Sequence, residues 1–128
     1  MSRPALDGIA PFFIAKDVAA SLSFYRELLG FHVVFTEPSE DPFFGIVSRD
    51  GAMIMFKSVG VAPVPNHTRD PAARWDAYVK VPDPDALAAE FLSRGVQFSK
   101  PLKDTHDGLR GFELEDVDGY ILFFGRPR

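Results

Sequence analysis

Three polar side chains alternate along residues 74–83, a segment that has the pattern of a β-strand. Asp76, Tyr78 and Lys80 stand two residues apart, so a strand places all three on the same face. A carboxylate, a phenol and an ammonium group on one wall can bind a small molecule or carry acid–base chemistry. Because Asp76 and Lys80 would lie roughly 13 Å apart along the strand, they cannot pair directly, and each is expected to be free for a ligand.

These residues belong to the second half of an internal repeat. Phe44–Phe56, FGIVSRDGAMIMF, aligns without a gap with Phe112–Phe124, FELEDVDGYILFF. Upstream of each aligned stretch, a strand-like segment leads through an aspartate into an amphipathic helix that ends at a glycine. The 128 residues are therefore predicted to form a single domain with two β-α-β-β-β modules. Module 1 covers about 8–58, a proline-rich linker about 59–73, and module 2 about 74–126.

Local signals assign the elements of both modules. Asp17 precedes apolar residues at helical spacing, and Gly30 ends the run, which predicts the first helix. The second helix is predicted from about Pro84 to Arg94. The predicted strands are Ile9–Ala15, Phe31–Phe35, Phe43–Ser48, Ala52–Ser58, Trp75–Val81, Val96–Ser99, Leu109–Glu115 and Tyr120–Gly125. The predicted fold class is α+β, with each module forming half of a cupped mixed sheet.

Composition excludes several classes of partner. The net charge of -4 argues against nucleic acid and against an anionic membrane surface as partners. The absence of cysteine excludes disulfides, thiolate metal sites and a cysteine nucleophile. No apolar run approaches the ~20 residues of a membrane span, and the first residues lack the pattern of a signal peptide. The sequence thus predicts a cytoplasmic protein with a small-molecule ligand and neither nucleic acid nor membrane as partner.

The helices and the closing hairpin resemble a known family. DVAASLSFYRELLGF (17–31) is similar to the first-helix signature of the vicinal oxygen chelate superfamily, which includes glyoxalase I, extradiol dioxygenases, fosfomycin-modifying enzymes and bleomycin-resistance proteins. GLRGFELEDVDGYILFF (108–124) resembles its closing hairpin, although Val117 and Tyr120 replace the usual Pro and Asn of the turn. VPDPDALAAEF (81–91) resembles the second helix of the bleomycin-resistance branch. The resemblance implies a glyoxalase/bleomycin-resistance-like fold and a homodimer, which can exchange modules between chains.

The same resemblance implies where a metal would lie. Enzymes of the superfamily hold a divalent metal at the position seven residues before each helix-opening aspartate and four residues after each hairpin glycine. In this chain those positions carry Ala10, Met55, Asp76 and Phe123. Alanine and phenylalanine offer no ligand atom, a thioether is a poor ligand for these metals, and one aspartate cannot hold a catalytic ion. The sequence therefore predicts neither a metal at the usual site nor another cofactor.

Alternation places apolar side chains beside the positions that lack metal ligands. Phe12 shares a face with Ala10, and Met53 shares one with Met55, which indicates an apolar concavity with few polar groups. The alternative is that these aromatic residues only fill the core. His106 is in a loop that borders the cavity mouth in relatives, where it is either functional or part of a hydrophilic turn. The predicted ligand-binding residues are Phe12, Met55, Asp76, Tyr78, His106 and Phe123.

Three further residues receive structural interpretations. Trp75, by alternation, points away from the face of Asp76 and is predicted to cover the outer face of the sheet or a subunit boundary. Arg110 is predicted to form an ion pair with a nearby acid, and Glu113 and Glu115 are the candidates. His67, in the proline-rich linker, is predicted to lie on a mobile surface loop.

Three functions follow from this pattern. The leading interpretation is a metal-free binding protein, similar to bleomycin-resistance proteins, that sequesters an antibiotic or an aromatic metabolite and has no catalytic residue. Asp76 would then meet a positive group, so Asp76→Asn should weaken binding without destabilising the fold. The alternative is a lyase, isomerase or dioxygenase of the superfamily with an atypical site, in which Asp76, Tyr78 and His106 are the acid–base candidates. The third is an accessory subunit whose concave face binds another protein.

Overall fold

The computed structural model describes residues 2–128 and contains the two predicted modules. Module 1 comprises β1 (Phe12–Ile14), α1 (Val18–Glu27), β2 (His32–Glu37), β3 (Phe44–Arg49) and β4 (Ala52–Lys57). Module 2 comprises β5 (Ala77–Lys80), α3 (Pro84–Ser93), β6 (Lys100–Asp104), β7 (Leu109–Glu115) and β8 (Ile121–Pro127). A short helix, α2 (Asn66–Arg69), lies between them. The sheets have strand orders β1-β4-β3-β2 and β5-β8-β7-β6, and in each the first two strands are parallel. The α+β prediction is confirmed.

The two long helices begin at the predicted aspartates. A carboxylate oxygen of Asp17 accepts from the backbone N–H of Ala20 at 3.3 Å, and Asp83 accepts from Ala86 at 3.0 Å. These bonds satisfy amides that have no partner within the helix. Gly95 follows α3 with a φ of +89°, a conformation that a residue without Cβ adopts at no steric cost.

Each sheet has one face covered by a helix and one open face. On the covered faces, Tyr25 of α1 packs against Phe56 of β4, and Phe91 of α3 packs against Phe112 and Phe124. All five side chains are at most 2% exposed. The neighbouring residues on the strands point to the opposite side. We call that side the open face of each module.

One predicted strand is wrong. Val96–Ser99 does not form a strand, because Val96 N–H donates to the carbonyl oxygen of Phe91 at 3.0 Å and so closes the end of α3. The Val96 side chain is 5% exposed and joins the core. β6 begins only at Lys100, in a segment predicted to be a loop.

The two halves of the repeat fold with different hairpin turns. β3 and β4 are joined by two residues, Asp50 and Gly51, whereas residues 116–120 separate β7 from β8. The longer turn shifts the pairing of β7 by one residue relative to β3, and a shift of one residue reverses the face of every side chain. Consequently Phe44, which packs against Phe12, lies on the open face, whereas its aligned counterpart Phe112 lies in the core.

The modules contact each other through their hairpin turns. The β7–β8 turn lies on module 1, where Asp116 accepts from the Tyr25 hydroxyl at 2.7 Å. Tyr120 stacks on Phe13 with ring centroids 4.1 Å apart, and its hydroxyl donates to the Ile14 carbonyl oxygen at 2.6 Å. The β3–β4 turn lies on α3, where Arg49 donates twice to Glu90, at 2.8 and 2.9 Å.

Asp116 is expected to make stability depend on pH between about pH 4 and about pH 6. Burial raises the pKa of its carboxyl group to about 6, despite the hydrogen bond from Tyr25 that favours the charged form. A folded-state pKa above the unfolded value stabilises the protein at low pH, and this stability is lost as pH rises through about 6. The loss is up to about 3 kcal/mol. The hydrogen bond with Arg49 lowers the pKa of Glu90. Glu90 therefore has the opposite effect on stability, because its contribution is lost as pH falls through the pKa of its carboxyl group.

Urea unfolding of the wild type and of Asp116→Asn at several pH values measures this pH dependence of stability. Asparagine keeps an oxygen for the backbone N–H groups of Asp118 and Tyr120, which Asp116 binds at 2.9 and 3.0 Å, but it cannot ionise. We expect the free energy of unfolding of the wild type to fall between about pH 4 and about pH 6, and that of the variant to change much less. Equal profiles for the two proteins would contradict the assignment.

Candidate functional site

Three aromatic side chains form a platform on the open face of module 2. Trp75 stacks on Phe123 with centroids 4.2 Å apart and planes 18° apart. Tyr78 meets the edge of Phe123 at 5.6 Å. Phe123 is 2% exposed and forms the buried floor of this group. Tyr78 is 41% exposed and Trp75 is half-buried, so both are accessible. We call Trp75, Tyr78 and Phe123 the aromatic platform.

A pair of glycines explains why Phe123 lies flat on the sheet. Gly111 and Gly125 are paired across β7 and β8. A Cβ atom at either position would lie 2.5 or 2.4 Å from ring carbons of Phe123. The ring therefore rests directly on backbone, and its other side is free to stack with Trp75. Glycines in strands often mark such close approaches.

Glu113 holds the indole of Trp75 in place. Its side chain is buried on the open face, with 3% exposure. One carboxylate oxygen accepts from Trp75 Nε1–H at 2.7 Å, and the other accepts from Arg74 Nε–H at 2.8 Å. Because each oxygen accepts a charge-assisted hydrogen bond, the buried carboxylate is satisfied. The tilt of the indole over Phe123 is thereby fixed.

The predictions for this part of the sheet were partly wrong. Trp75 does not cover the outer face: it precedes β5, where strand alternation does not yet apply. Glu113 was expected only as a partner of Arg110. Arg110 does form ion pairs, but with Asp85 at 2.8 Å and Asp104 at 3.1 Å. The single tryptophan was the signal for this site in the sequence, whereas the pairing of Glu113 with Phe123 depends on the strand register.

Asp76 is not free for a ligand, contrary to the prediction. Its two carboxylate oxygens accept from the backbone N–H groups of Asn66 at 2.9 Å and Ile121 at 2.8 Å. The carboxylate therefore ties the start of α2 to the start of β8. His67 Nε2 lies 2.9 Å from the carbonyl oxygen of Gly119, so this part of the linker is anchored to module 2. His67 is half-buried in α2 and not in a surface loop as predicted.

His106 lies apart from Asp76. It is exposed in the turn between β6 and β7. That turn leads into Leu109, which pairs with Pro127 at the end of β8, whereas Asp76 binds Ile121 at the start of β8. The structure therefore does not bring together Asp76, Tyr78 and His106, the three acid–base candidates.

The open face of module 1 is also aromatic. Phe12 lies 6.0 Å from Phe44, which lies 5.9 Å from Phe35. Phe12 is 55% exposed and Met53 is 41% exposed in the single chain. Met55, half-buried, pairs with Phe12 across β1 and β4. This face presents apolar surface without a covering element among residues 2–128.

The positions at which the fold family holds a metal do not fit one. Ala10, Met55 and Phe123 provide neither nitrogen nor oxygen ligands, and both oxygens of Asp76 are engaged by backbone amides. Within the described residues, no group of three or more His, Cys, Asp or Glu side chains is placed to hold an ion.

A cleft of about 840 Å³, which shares Tyr78 with the aromatic platform, lies where the β3–β4 turn of module 1 meets β5 and α3. Of the residues predicted to line a single concavity, only Met53, Tyr78 and Lys80 line this cleft. Phe12, Met55 and Phe123 lie outside its lining. The prediction of one concavity shared by all these residues is therefore not met within a single chain.

The family assignment follows from the sequence match and the fold together. The model of the glyoxalase/bleomycin resistance protein/dioxygenase superfamily matches residues 6–124. The chain belongs to this superfamily, as its helix and hairpin motifs predicted. No curated protein sequence matches the chain significantly. None of the helices within residues 2–128 has the length and apolar character needed to cross a membrane.

Solved structures share the fold at low sequence identity. TioX from Micromonospora sp. ML1 is 20% identical with a TM-score of 0.74, covering 94% of this chain and 98% of its own. A bleomycin-binding protein in complex with bleomycin is 21% identical with a TM-score of 0.72, covering 96% and 100%. The bleomycin-binding protein of bleomycin-producing Streptomyces verticillus, in complex with copper(II)-bleomycin, is 25% identical with a TM-score of 0.70, covering 100% of both chains.

Proposed function

We propose that the protein binds an antibiotic or an aromatic metabolite without a protein-bound metal and acts by sequestering it. The aromatic platform is the observation that carries this proposal. A planar ring of the ligand stacks on the accessible indole of Trp75 and against Tyr78, and each such contact contributes ~0.5–1.5 kcal/mol beyond area burial. The bleomycin-binding proteins among the structural neighbours support ligand capture on this fold.

The site chemistry favours binding over catalysis. The polar groups nearest the platform, Glu113 and Arg74, neutralise each other at 2.8 Å. Each carboxylate oxygen of Asp76 already accepts a backbone N–H, which gives this acid a role in joining α2 to β8 rather than in proton transfer. Metal analysis of protein purified without chelators or nickel resin is expected to give well under one equivalent of transition metal.

A thermal-shift screen of planar aromatic antibiotics and metabolites tests the proposal. Active compounds are expected to raise the melting temperature of the wild type, because a ligand that binds only the native state stabilises it. Trp75→Ala should lose this increase. Leu92→Ala, which truncates a side chain 58% exposed on α3, is the control and should keep it. Equal stabilisation of Trp75→Ala and the wild type by every active compound, or no active compound at all, would contradict the proposal.

We further propose that a second copy of the chain completes the binding site. The open face of module 1 leaves Phe12, Phe35 and Met53 between 41% and 55% exposed. Ile9, just before β1, is 94% exposed. A contiguous apolar surface of this kind is typical of an interface, and covering it with the platform of a partner would enclose a ligand from two sides.

Light scattering checks the dimer. We expect a mass of twice the 14.2 kDa of one chain. Phe35→Glu should shift the protein to a monomer, because a charged group cannot be buried on an apolar interface without a partner. A wild-type monomer at high micromolar concentration would contradict this part of the proposal and leave the platform as a one-sided site.

A further inference from the structure

The repeat provides an internal comparison of the two module contacts. β1 pairs with β4 and β5 pairs with β8 in equivalent registers, Phe12 with Met55 and Tyr78 with Phe123. By the same register Ala52, the first residue of β4, is the counterpart of Tyr120, which stands just before β8. Val79 and Lys80 of β5 are the counterparts of Phe13 and Ile14 of β1. We call the contact of Tyr120 with β1 the first contact and the equivalent contact of Ala52 with β5 the second contact. The first contains an aromatic ring, and the second contains a methyl group in its place.

At the first contact, the ring of Tyr120 fills the space between the modules. It lies 7° from parallel to the ring of Phe13, at 4.1 Å, and its hydroxyl donates to the Ile14 carbonyl oxygen at 2.6 Å. The Tyr120 side chain is 7% exposed. A phenol therefore fits between a hairpin turn and the edge strand of the other module.

At the second contact, Ala52 leaves the equivalent space open. This space is the cleft of about 840 Å³ between the β3–β4 turn, β5 and α3. Its volume is in the range of small-molecule pockets. The apolar part of its lining includes Ala52, Ile54, Ala77, Val79, Leu87 and Phe91.

The charges around the cleft indicate a neutral ligand. Arg49 and Glu90 at its rim form a two-bond ion pair at 2.8 and 2.9 Å. The lining also contains Asp50, which lies 4.0 Å from Arg49, and Asp83, which accepts from the backbone N–H of Ala86, so each of these groups already has a partner. Lys80 contributes, besides its exposed ammonium group, the backbone oxygen that corresponds to the acceptor oxygen of Ile14. β5 is an edge strand of its sheet, and edge strands present unpaired backbone groups.

We propose that this cleft is a second binding site, which takes a neutral aromatic molecule with one hydroxyl group. The ring occupies the place that Tyr120 fills at the first contact, against Val79 and Ala52, and the hydroxyl donates to the Lys80 carbonyl oxygen. The cleft shares Tyr78 with the aromatic platform, whereas Trp75 and Phe123 lie outside its lining. The proposed contacts with Val79, Ala52 and the Lys80 oxygen involve none of the three platform residues. The site therefore does not depend on the proposed sequestration function.

NMR titration of the full chain with p-cresol, the analogue of the tyrosine side chain, tests the site. We expect a dissociation constant on the order of 1 mM, as for other ligands of this size, with shifts centred on the methyl groups of Ala52, Val79 and Leu87. 4-Methylanisole, which keeps the ring but lacks the donor, should bind about five-fold more weakly because the hydrogen bond is lost. Equal binding of both probes would overturn the role of the Lys80 oxygen.

Variants separate this site from the aromatic platform. Ala52→Tyr, which restores the ring of the first contact, should abolish p-cresol binding, and Ala52→Leu provides a smaller filling residue if the tyrosine variant does not fold. Trp75→Ala should bind p-cresol as the wild type does, although it is expected to lose the antibiotic or aromatic metabolite. Shifts confined to Trp75 and Phe123, undiminished binding to a folded Ala52 variant, or no shifts around Ala52 at millimolar probe would overturn the proposal.

Discussion

Asp76→Asn is expected to lower the free energy of unfolding by about 2 kcal/mol, because it leaves a backbone donor of the fold without an acceptor. The wild-type carboxylate accepts from Asn66 N–H and Ile121 N–H, one on each oxygen. An asparagine has one oxygen, and its amide nitrogen would face the second N–H donor to donor. For a domain of this size the loss corresponds to roughly 5–10 °C in melting temperature.

This expectation reverses the effect predicted from sequence, which was an unchanged or increased stability. Asp7→Asn is the matched control, because Asp7 is exposed in the segment before β1 and the same chemical change there should alter stability by less than about 0.5 kcal/mol. Urea unfolding of the three proteins at neutral pH measures both effects. If Asp76→Asn unfolds at the same urea concentration as the wild type, the carboxylate is not needed to join α2 to β8.

The fold could be predicted because its signals are local and occur twice. Asp17 and Asp83 open helices in the structure as their spacing predicted, and each accepts the expected backbone hydrogen bond. Gly30 and Gly95 follow those helices with positive φ. Strand and helix periodicity depends on neighbouring residues only, so one sequence is enough to identify it.

The content of the open face could not be predicted in the same way, because it depends on how strands pair. The aligned residues Phe44 and Phe112 appear equivalent in sequence but lie on opposite faces, since the longer β7–β8 turn shifts the register of β7 by one residue. The same shift places Glu113 opposite Phe123 on the open face. The repeat in the amino-acid sequence therefore did not predict which side chains lie at equivalent positions in the two sheets.

The role of Asp76 depended on partners that are distant in sequence. Its face was assigned from the alternation of Asp76, Tyr78 and Lys80, but its hydrogen-bond donors are backbone amides of Asn66 and Ile121, which are 10 and 45 residues away. Every residue type except proline provides such a donor, so the sequence does not indicate which amides the carboxylate binds. The acid that belongs to the candidate site is instead Glu113, which binds a side chain of the platform.

Glu113→Gln is expected to release the indole of Trp75 and to weaken ligand binding on the order of ten-fold. The glutamine oxygen can accept from Trp75 or from Arg74, but its amide group repels the other donor. Because Trp75 is the only tryptophan of the chain, its fluorescence reports on this position alone. We expect emission at longer wavelength, stronger quenching by acrylamide and a loss of about 2–3 kcal/mol in stability, since a carboxylate 3% exposed loses its pairing with Arg74.

Glu115→Gln distinguishes this effect from a general loss of charge on the sheet. Glu115 lies two residues further along β7, on the same face of the strand, and is exposed, so its substitution should leave fluorescence, stability and binding unchanged. Binding by Glu113→Gln that weakens while its fluorescence stays the same would mean that the carboxylate contacts the ligand directly. Unchanged fluorescence together with unchanged binding would mean that stacking on Phe123 alone orients the indole, and that Glu113 only stabilises the sheet.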